Sequence, residues 1–216
     1  MQDRIKAKII ARFPRLWTYK YLLTGANSYL TETGWRESVR RGYPCGPDGA
    51  ALPWMNYHII SFLEDRLTKD LSLFEFGSGF STVFYSRLVG SVTSVENDKE
   101  WYRQISEQVA ENVQVLFVDS DVDGDYCRTI NLTDKTYDLV VVDGRDRVNC
   151  VEQSFAKLTD RGVIVLDDSQ REKYLPALES ARDRGFRILD FEGLKPKGLG
   201  FDRTSIFYRS DNCLNI

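Results

Sequence analysis

Residues Leu73 to Thr82 read LFEFGSGFST: a short apolar run carries Glu75, then Gly77 and Gly79 flank Ser78, and Ser81 stands where a third glycine would. A glycine turn between a strand and a helix lets backbone approach a ligand closely and turns helix N-terminal NH groups toward it. A GxG alone says little about the ligand, but acids at fixed distances say more. Glu96 closes the next β-rich run about 20 residues after Gly77, the spacing at which a carboxylate accepts hydrogen bonds from both ribose hydroxyls. Asp119, followed by Ser120, closes the third run where an adenine amine would lie, and Asp143 closes the fourth. These acids fall at the carboxyl ends of predicted parallel strands, the rim on which open α/β sheets bind ligands. A pyrophosphate is doubly negative, so Glu75 before the turn and Ser81 in place of glycine both disfavour it. A cationic nucleotide with an amino-acid moiety has the opposite need.

A second group of acids stands beside the first. VVVDGRDRVN supplies Asp143, Arg145, Asp146 and Arg147, and IVLDDSQR supplies Asp167 and Asp168. Carboxylates converging from adjacent strand ends fit a general base, a divalent cation, or a rim neutralised by Arg145 or Arg147. His58 is the only histidine, which excludes chemistry needing two, and it reads as structural on an apolar helix face. No GxSxG elbow is present, so serine hydrolysis is disfavoured.

The elements that must position these residues follow from periodicity. Strands are predicted at 71–76, 91–96, 113–119, 137–143 and 162–168; the last two are almost wholly apolar, as strands buried on both faces must be. Helices alternate with them: one through Val83, Phe84 and Leu88, one through Trp101, Ile105 and Val109, one through Val148, Val151, Phe155 and Leu158, and one over 171–184 stopping at Gly185. Asn97 with Glu100 three residues on suggests a capping box for the second. Strands at 186–192 and 204–209 are separated by GLKPKGLGFDR, whose three glycines and proline leave no room for a crossover helix. The last two strands therefore pair antiparallel. Before residue 71 the chain differs in character. A basic helix near Asp3 to Arg12 is broken at Pro14, aromatic-rich irregular sequence follows, and a helix over 54–67 packs on the sheet. Trp35, Trp54 and Tyr57 are candidates for a lid, although aromatic residues in such a segment commonly serve packing.

This pattern resembles the class I S-adenosylmethionine-dependent methyltransferases over about residues 71–209, with EFGSGFST and VEND as its best local matches. The resemblance implies a three-layer Rossmann-like α/β fold, a seven-stranded, mostly parallel sheet with its last strand antiparallel. Residues 1–70 would form a helical cap over the substrate and 71–216 the catalytic core. It implies that Glu75, Gly77, Ser78, Gly79, Ser81 and Thr82 hold the methionine part of the cofactor, Glu96 and Asn97 the ribose, Asp119 and Ser120 the adenine, with Asp143 beside them. The acid cluster is similar to that of metal-dependent catechol-type and caffeoyl-coenzyme-A-type O-methyltransferases, which implies magnesium or calcium on Asp143, Asp167 and Asp168. Asp168 replaces that family's amide, and Asp146 stands where it has a lysine base. The expected catalytic residues are Asp143 and Asp146, and the expected acceptor is an oxygen of a small molecule or glycan. Asp143 and Asp146 also reproduce the DxxD of aminopropyl transferases, and a non-catalytic nucleotide-binding subunit is a further alternative. An NAD-dependent oxidoreductase is disfavoured by Glu75 and by the final hairpin.

Composition sets the outer limits. With 216 residues and 42% hydrophobic content, one core with an appendage is expected. A net charge of −3 disfavours general nucleic-acid binding. Cys45, Cys127, Cys150 and Cys213 form no CxxC pair and read as reduced thiols of a cytoplasmic protein. No apolar run reaches the roughly 18 residues of a membrane span. Arg4, Lys6, Lys8, Arg12 and Arg15 make a basic start, read as a solvated helix face or as a contact for anionic lipid.

Overall fold

The computed structural model describes Ala7, residues 10–119 and residues 121–216. Seven strands form one sheet: β1 (Ser72–Phe76), β2 (Ser91–Glu96), β3 (Val113–Phe117), β4 (Tyr137–Val142), β5 (Leu158–Asp167), β6 (Arg187–Gly193) and β7 (Asp202–Tyr208). They lie in the order β3-β2-β1-β4-β5-β7-β6. β1 to β5 pair parallel, and β7 runs antiparallel to both β5 and β6. This is the sheet expected from the sequence, reversed last strand included. Register aligns the carboxyl ends, since Phe76 pairs with Val95 and Val142, and Val142 with Leu166. Gly77, Glu96, Asp143 and Asp167 consequently emerge on one rim.

Strand alternation divides the core in two. Leu73, Leu139, Val141, Val163, Val165 and Ile206 face one side of the sheet, and Phe74, Phe76, Val140, Val142, Ile164, Leu166 and Phe207 face the other. The helices are α1 (Pro14–Thr24), α2 (Tyr29–Glu32), α3 (Trp35–Arg41), α4 (Tyr57–Arg66), α5 (Phe80–Leu88), α6 (Lys99–Ser106), α7 (Asp125–Arg128), α8 (Arg147–Ser154) and α9 (Leu175–Asp183). Ile59, Ile60 and Leu63 of α4 and Phe84 and Tyr85 of α5 close the first face; Tyr126, Cys150, Val151, Ala177 and Leu178 close the second. α4 thus packs on the sheet as its apolar sequence requires, with Asn56 accepting from the Ile59 NH as its cap. His58 binds the Glu192 carbonyl through Nδ1 at 2.9 Å, a structural role. All four cysteines are buried and unpaired.

Three local expectations are corrected. Pro14 opens α1 rather than leading into irregular chain, because proline at the first helical turn lacks only an NH that has no partner there. The cap of α6 is Asp98, whose carboxylate accepts from the NH groups of Glu100 and Trp101, and not an Asn97 capping box. α7 and the 3-10 turn at Thr129–Leu132 lie between β3 and β4, where no helix was expected. Most of the basic helix near Asp3 to Arg12 lies outside the described residues.

The glycine turn is fixed by backbone crowding. Gly77 has φ +97, and a Cβ there would meet Gly144 Cα at 2.7 Å and Gly144 N at 2.8 Å. Gly185, at φ +79 after α9, has nothing within 4 Å of such a Cβ. Gly77→Ala should cost about 2–4 kcal/mol, from left-handed strain plus overpacking against backbone, and Gly185→Ala about 1 kcal/mol from strain alone. Urea denaturation of the two variants checks the ranking; equal losses would contradict it.

Candidate active site

The Glu75 side chain points behind the turn, into the sheet face covered by α4 and α5. It is fully buried. Ser81 Oγ donates to its Oε1 at 2.5 Å, and Thr82 Oγ1 and Ser94 Oγ donate to its Oε2 at 2.5 and 2.9 Å. The pairing of Glu75 with Ser94 across β1 and β2 brings the third hydroxyl alongside, and the first turn of α5 supplies the other two. Ser78 Oγ extends the chain to Ser94 Oγ at 2.7 Å, and the Gly79 NH donates to Thr82 Oγ1 at 2.8 Å. Burial pushes the Glu75 carboxyl up to about 7, against the three hydroxyls that favour its charged form. Glu75 and Thr82 therefore hold the turn from behind, while Gly77, Ser78, Gly79 and Ser81 line a cavity of about 860 Å³ in front of it.

Gly79 differs from Gly77. Its φ of 178 is ordinary extended backbone, and a Cβ would stand 3.7 Å from Trp101 Nε1 and 3.8 Å from Ser81 Oγ. Both neighbours line the cavity, so neither strain nor crowding demands glycine here, and its absent side chain leaves room in the cavity. Trp101 Nε1 donates to the Ser78 carbonyl at 2.7 Å, and Phe80 packs edge-on to Trp101 and stacks on Tyr43. Glu96 is buried at the rim, its Oε1 accepting from the NH groups of Asn97 and Asp98, both at 2.8 Å. Burial raises its carboxyl, and these backbone donors oppose the rise. Glu96 and Asn97 line the cavity; Asp119 is exposed and outside its lining, and Ser120 lies outside the described residues.

The opposite wall carries Asp143, Arg145, Asp146, Arg147, Arg171, Lys173 and Tyr174. Arg147 fills the space between the acids expected to hold a metal. Its buried guanidinium donates to Asp143 Oδ1 at 2.8 Å, to the Gly144 carbonyl at 3.0 Å and to the Asp167 carbonyl at 2.6 Å, and stands 3.4 Å from Asp168 Oδ2. Asp167 accepts from Thr204 Oγ1 at 2.6 Å. Lys195 Nζ bridges Asp168 and Asp202 at 3.3 and 3.2 Å, and Arg171 binds Asp168 at 2.5 Å. Asp167, Asp168 and Asp202 have oxygens within 4.8 Å of one another, but fixed cations already neutralise that group. Magnesium or calcium on Asp143, Asp167 and Asp168 does not fit these residues. Burial raises the carboxyls of Asp143 and Asp167; burial opposes the charged form of Asp168 too, yet its Asp202 partner and the cations hold it low.

Asp146 adopts left-handed backbone (φ 47) and braces two segments, accepting from the Asp123 NH at 2.8 Å and from Asn149 Nδ2 at 2.9 Å. Asp143 is the less committed of the two expected catalytic acids. Of the expected lid, Trp54 lines the cavity with Pro44, Trp35 Nε1 donates to the Gly198 carbonyl at 2.8 Å, and Tyr57 is buried. Sequence reasoning missed Trp101 as a wall of the cavity, since helical spacing with Ile105 marked it as core. It also missed Lys173 and Tyr174, whose segment carried no motif.

Residues 74–169 match the model of a family described as a methyltransferase domain. None of the curated proteins is similar in sequence to this chain at a significant level. Among solved structures, precorrin-6y C5,15-methyltransferase from Geobacter metallireducens superimposes with a TM-score of 0.55 at 16% identity, covering 71% of this chain and 87% of its own. An rRNA methylase from Streptococcus thermophilus gives 0.54 at 14% identity, over 69% and 92%. A Streptococcus mutans protein solved in complex with SAH (S-adenosylhomocysteine) gives 0.53 at 16% identity, over 69% and 94%. These likenesses establish a shared fold.

The buried carboxyl at the turn has a measurable signature. Its folded pKa near 7 lies above the ordinary 4.5, so native protein retains a proton that unfolded chain releases between those values. The stabilising effect of that proton is complete below about pH 4.5 and is lost as pH rises through about 7. Glu75→Gln should remove about 3 kcal/mol of the stability decline over that window relative to wild type. Urea titrations at a series of pH values test this, and parallel curves for the two proteins would contradict it.

Proposed function

We propose that the chain is a class I, S-adenosylmethionine-dependent methyltransferase that methylates an oxygen of a small molecule or sugar without a divalent metal. The observation that carries this reading is a single cavity with the open Gly79 turn and the Glu96 carboxylate on one wall and Asp143 on the other. The space in front of Gly79 and the N-terminus of α5 take the amino-acid part of the cofactor, and Glu96 accepts from the ribose hydroxyls. Glu75 acts from behind, its three hydroxyl partners keeping the turn in place. Asp119, exposed just beyond β3, takes the adenine amine.

The reaction is an in-line displacement: the acceptor oxygen forms a bond to the methyl carbon as the carbon–sulfur bond breaks, and the electron pair goes to sulfur. The hydroxyl proton passes to Asp143. Arg147 keeps that carboxylate oriented through its 2.8 Å ion pair, while burial raises its basicity. Asp146, with its oxygens engaged by Asp123 and Asn149, serves as a brace; this also weakens the aminopropyl-transferase alternative, which needs both acids for an amine. Arg145 and Lys173 at the acceptor wall suit an acceptor of modest size with polar or anionic groups, in keeping with a small molecule or sugar. Glu96→Ala should weaken S-adenosylhomocysteine binding by about 1–3 kcal/mol, because hydrogen bonds to a charged group are lost. Calorimetric titration measures this, and an unchanged affinity would remove Glu96 from the ribose site.

A further inference from the structure

Helix α1, PRLWTYKYLLT, buries none of its residues against the rest of the described chain. Leu16 is 67% exposed, Tyr19 64%, Phe13 56% and Leu23 49%. Half of the large apolar side chains exposed among the described residues lie between Phe13 and Tyr29. The helix is nevertheless tied down at its C-terminal end, where Ser28 Oγ donates to the Leu22 carbonyl at 2.9 Å and Tyr21 OH donates to the Asn27 carbonyl at 3.2 Å. It is thus held out from the body as an aromatic and leucine-rich rod.

Charge identifies what covers it. The first 24 residues carry Arg4, Lys6, Lys8, Arg12, Arg15 and Lys20 against Asp3 alone, in a chain whose total charge is −3. A surface of leucine, tryptophan and tyrosine flanked by cations matches the boundary of a negatively charged bilayer. There the rings sit at headgroup level, the leucines reach the acyl boundary and the ammonium and guanidinium groups meet lipid phosphates. Eleven residues extend only about 16 Å as a helix, too short to span a bilayer of about 30 Å and well suited to lie in its surface. Among the described residues no helix is long and apolar enough to cross a membrane. A symmetric pairing of two α1 helices fits less well: the helix has no acid in its first turn, and Arg15 and Lys20 would face like charges from the other copy.

We propose that α1, with the basic residues before it, docks the protein on anionic lipid surfaces. The full chain should sediment with phosphatidylcholine–phosphatidylglycerol vesicles, bind vesicles of phosphatidylcholine alone at least tenfold more weakly, and lose the difference at high salt. Leu16→Glu with Leu23→Glu should reduce vesicle binding at least tenfold. Both residues are exposed, so the circular dichroism and melting temperature should remain those of wild type. Sedimentation velocity without lipid completes the test. Absence of vesicle binding, binding unaffected by the double substitution, or a dimer that the substitution dissolves without any lipid binding would each overturn the proposal.

Discussion

A carboxylate buried in an apolar sheet face is the constraint on which this site depends. Glu75 lies on the same face of β1 as Leu73, among Val141 and Val165, where an isolated charge would be far too costly to keep. Three hydroxyls meet it, one from β2 and two from the first turn of α5. Because each donor comes from an element that also borders the cavity, satisfying Glu75 fixes the distance between the strand end, the glycine turn and the helix N-terminus. Gly77 then has no freedom, with Gly144 packed beneath it, and Gly79 is left lining the cavity between Trp101 and Ser81.

The far wall solves the complementary problem. Asp143, Asp167, Asp168 and Asp202 converge where parallel strands end, and Arg147, Arg171 and Lys195 are interleaved with them. Arg147 is the central piece, since its planar donors reach three backbone carbonyls, those of Asp143, Gly144 and Asp167, as well as the Asp143 carboxylate. A guanidinium at that position supplies the charge that a metal supplies elsewhere, at fixed geometry and without a coordination site. It leaves Asp143 lining the cavity, where the proposed reaction needs an acceptor for the hydroxyl proton.

Much of this was legible in the sequence because it rests on short-range rules. The almost wholly apolar runs at 137–143 and 162–168 are central strands, and glycines and a proline between β6 and β7 exclude a crossover helix, which alone implies the reversed last strand. Glu96 was placed by its spacing from Gly77. What escaped depends on side-chain direction and on long-range partners. Strand alternation sends Glu75 behind the turn, yet its acidic character suggested direct contact with a ligand. Arg147 was visible as a neighbour of Asp143, but its reach to Asp167 and Asp168 across two strands was not. Asp146 matched a catalytic spacing, while its hydrogen bond from the Asp123 NH was not legible, because Asp123 lies in a loop that carries no motif. α1 was missed because Pro14 reads equally as a break and as a start.

In the proposed reading, the Gly77–Gly79 turn and Glu96 form the two halves of one cofactor site. A crystal structure of the protein with S-adenosylhomocysteine tests it most directly. The amino-acid moiety is expected in front of Gly79 at the N-terminus of α5, the ribose hydroxyls on the Glu96 carboxylate, and Glu75 still enclosed by Ser81, Thr82 and Ser94. Ligand density elsewhere on the sheet, or a ribose bound without Glu96, would contradict it.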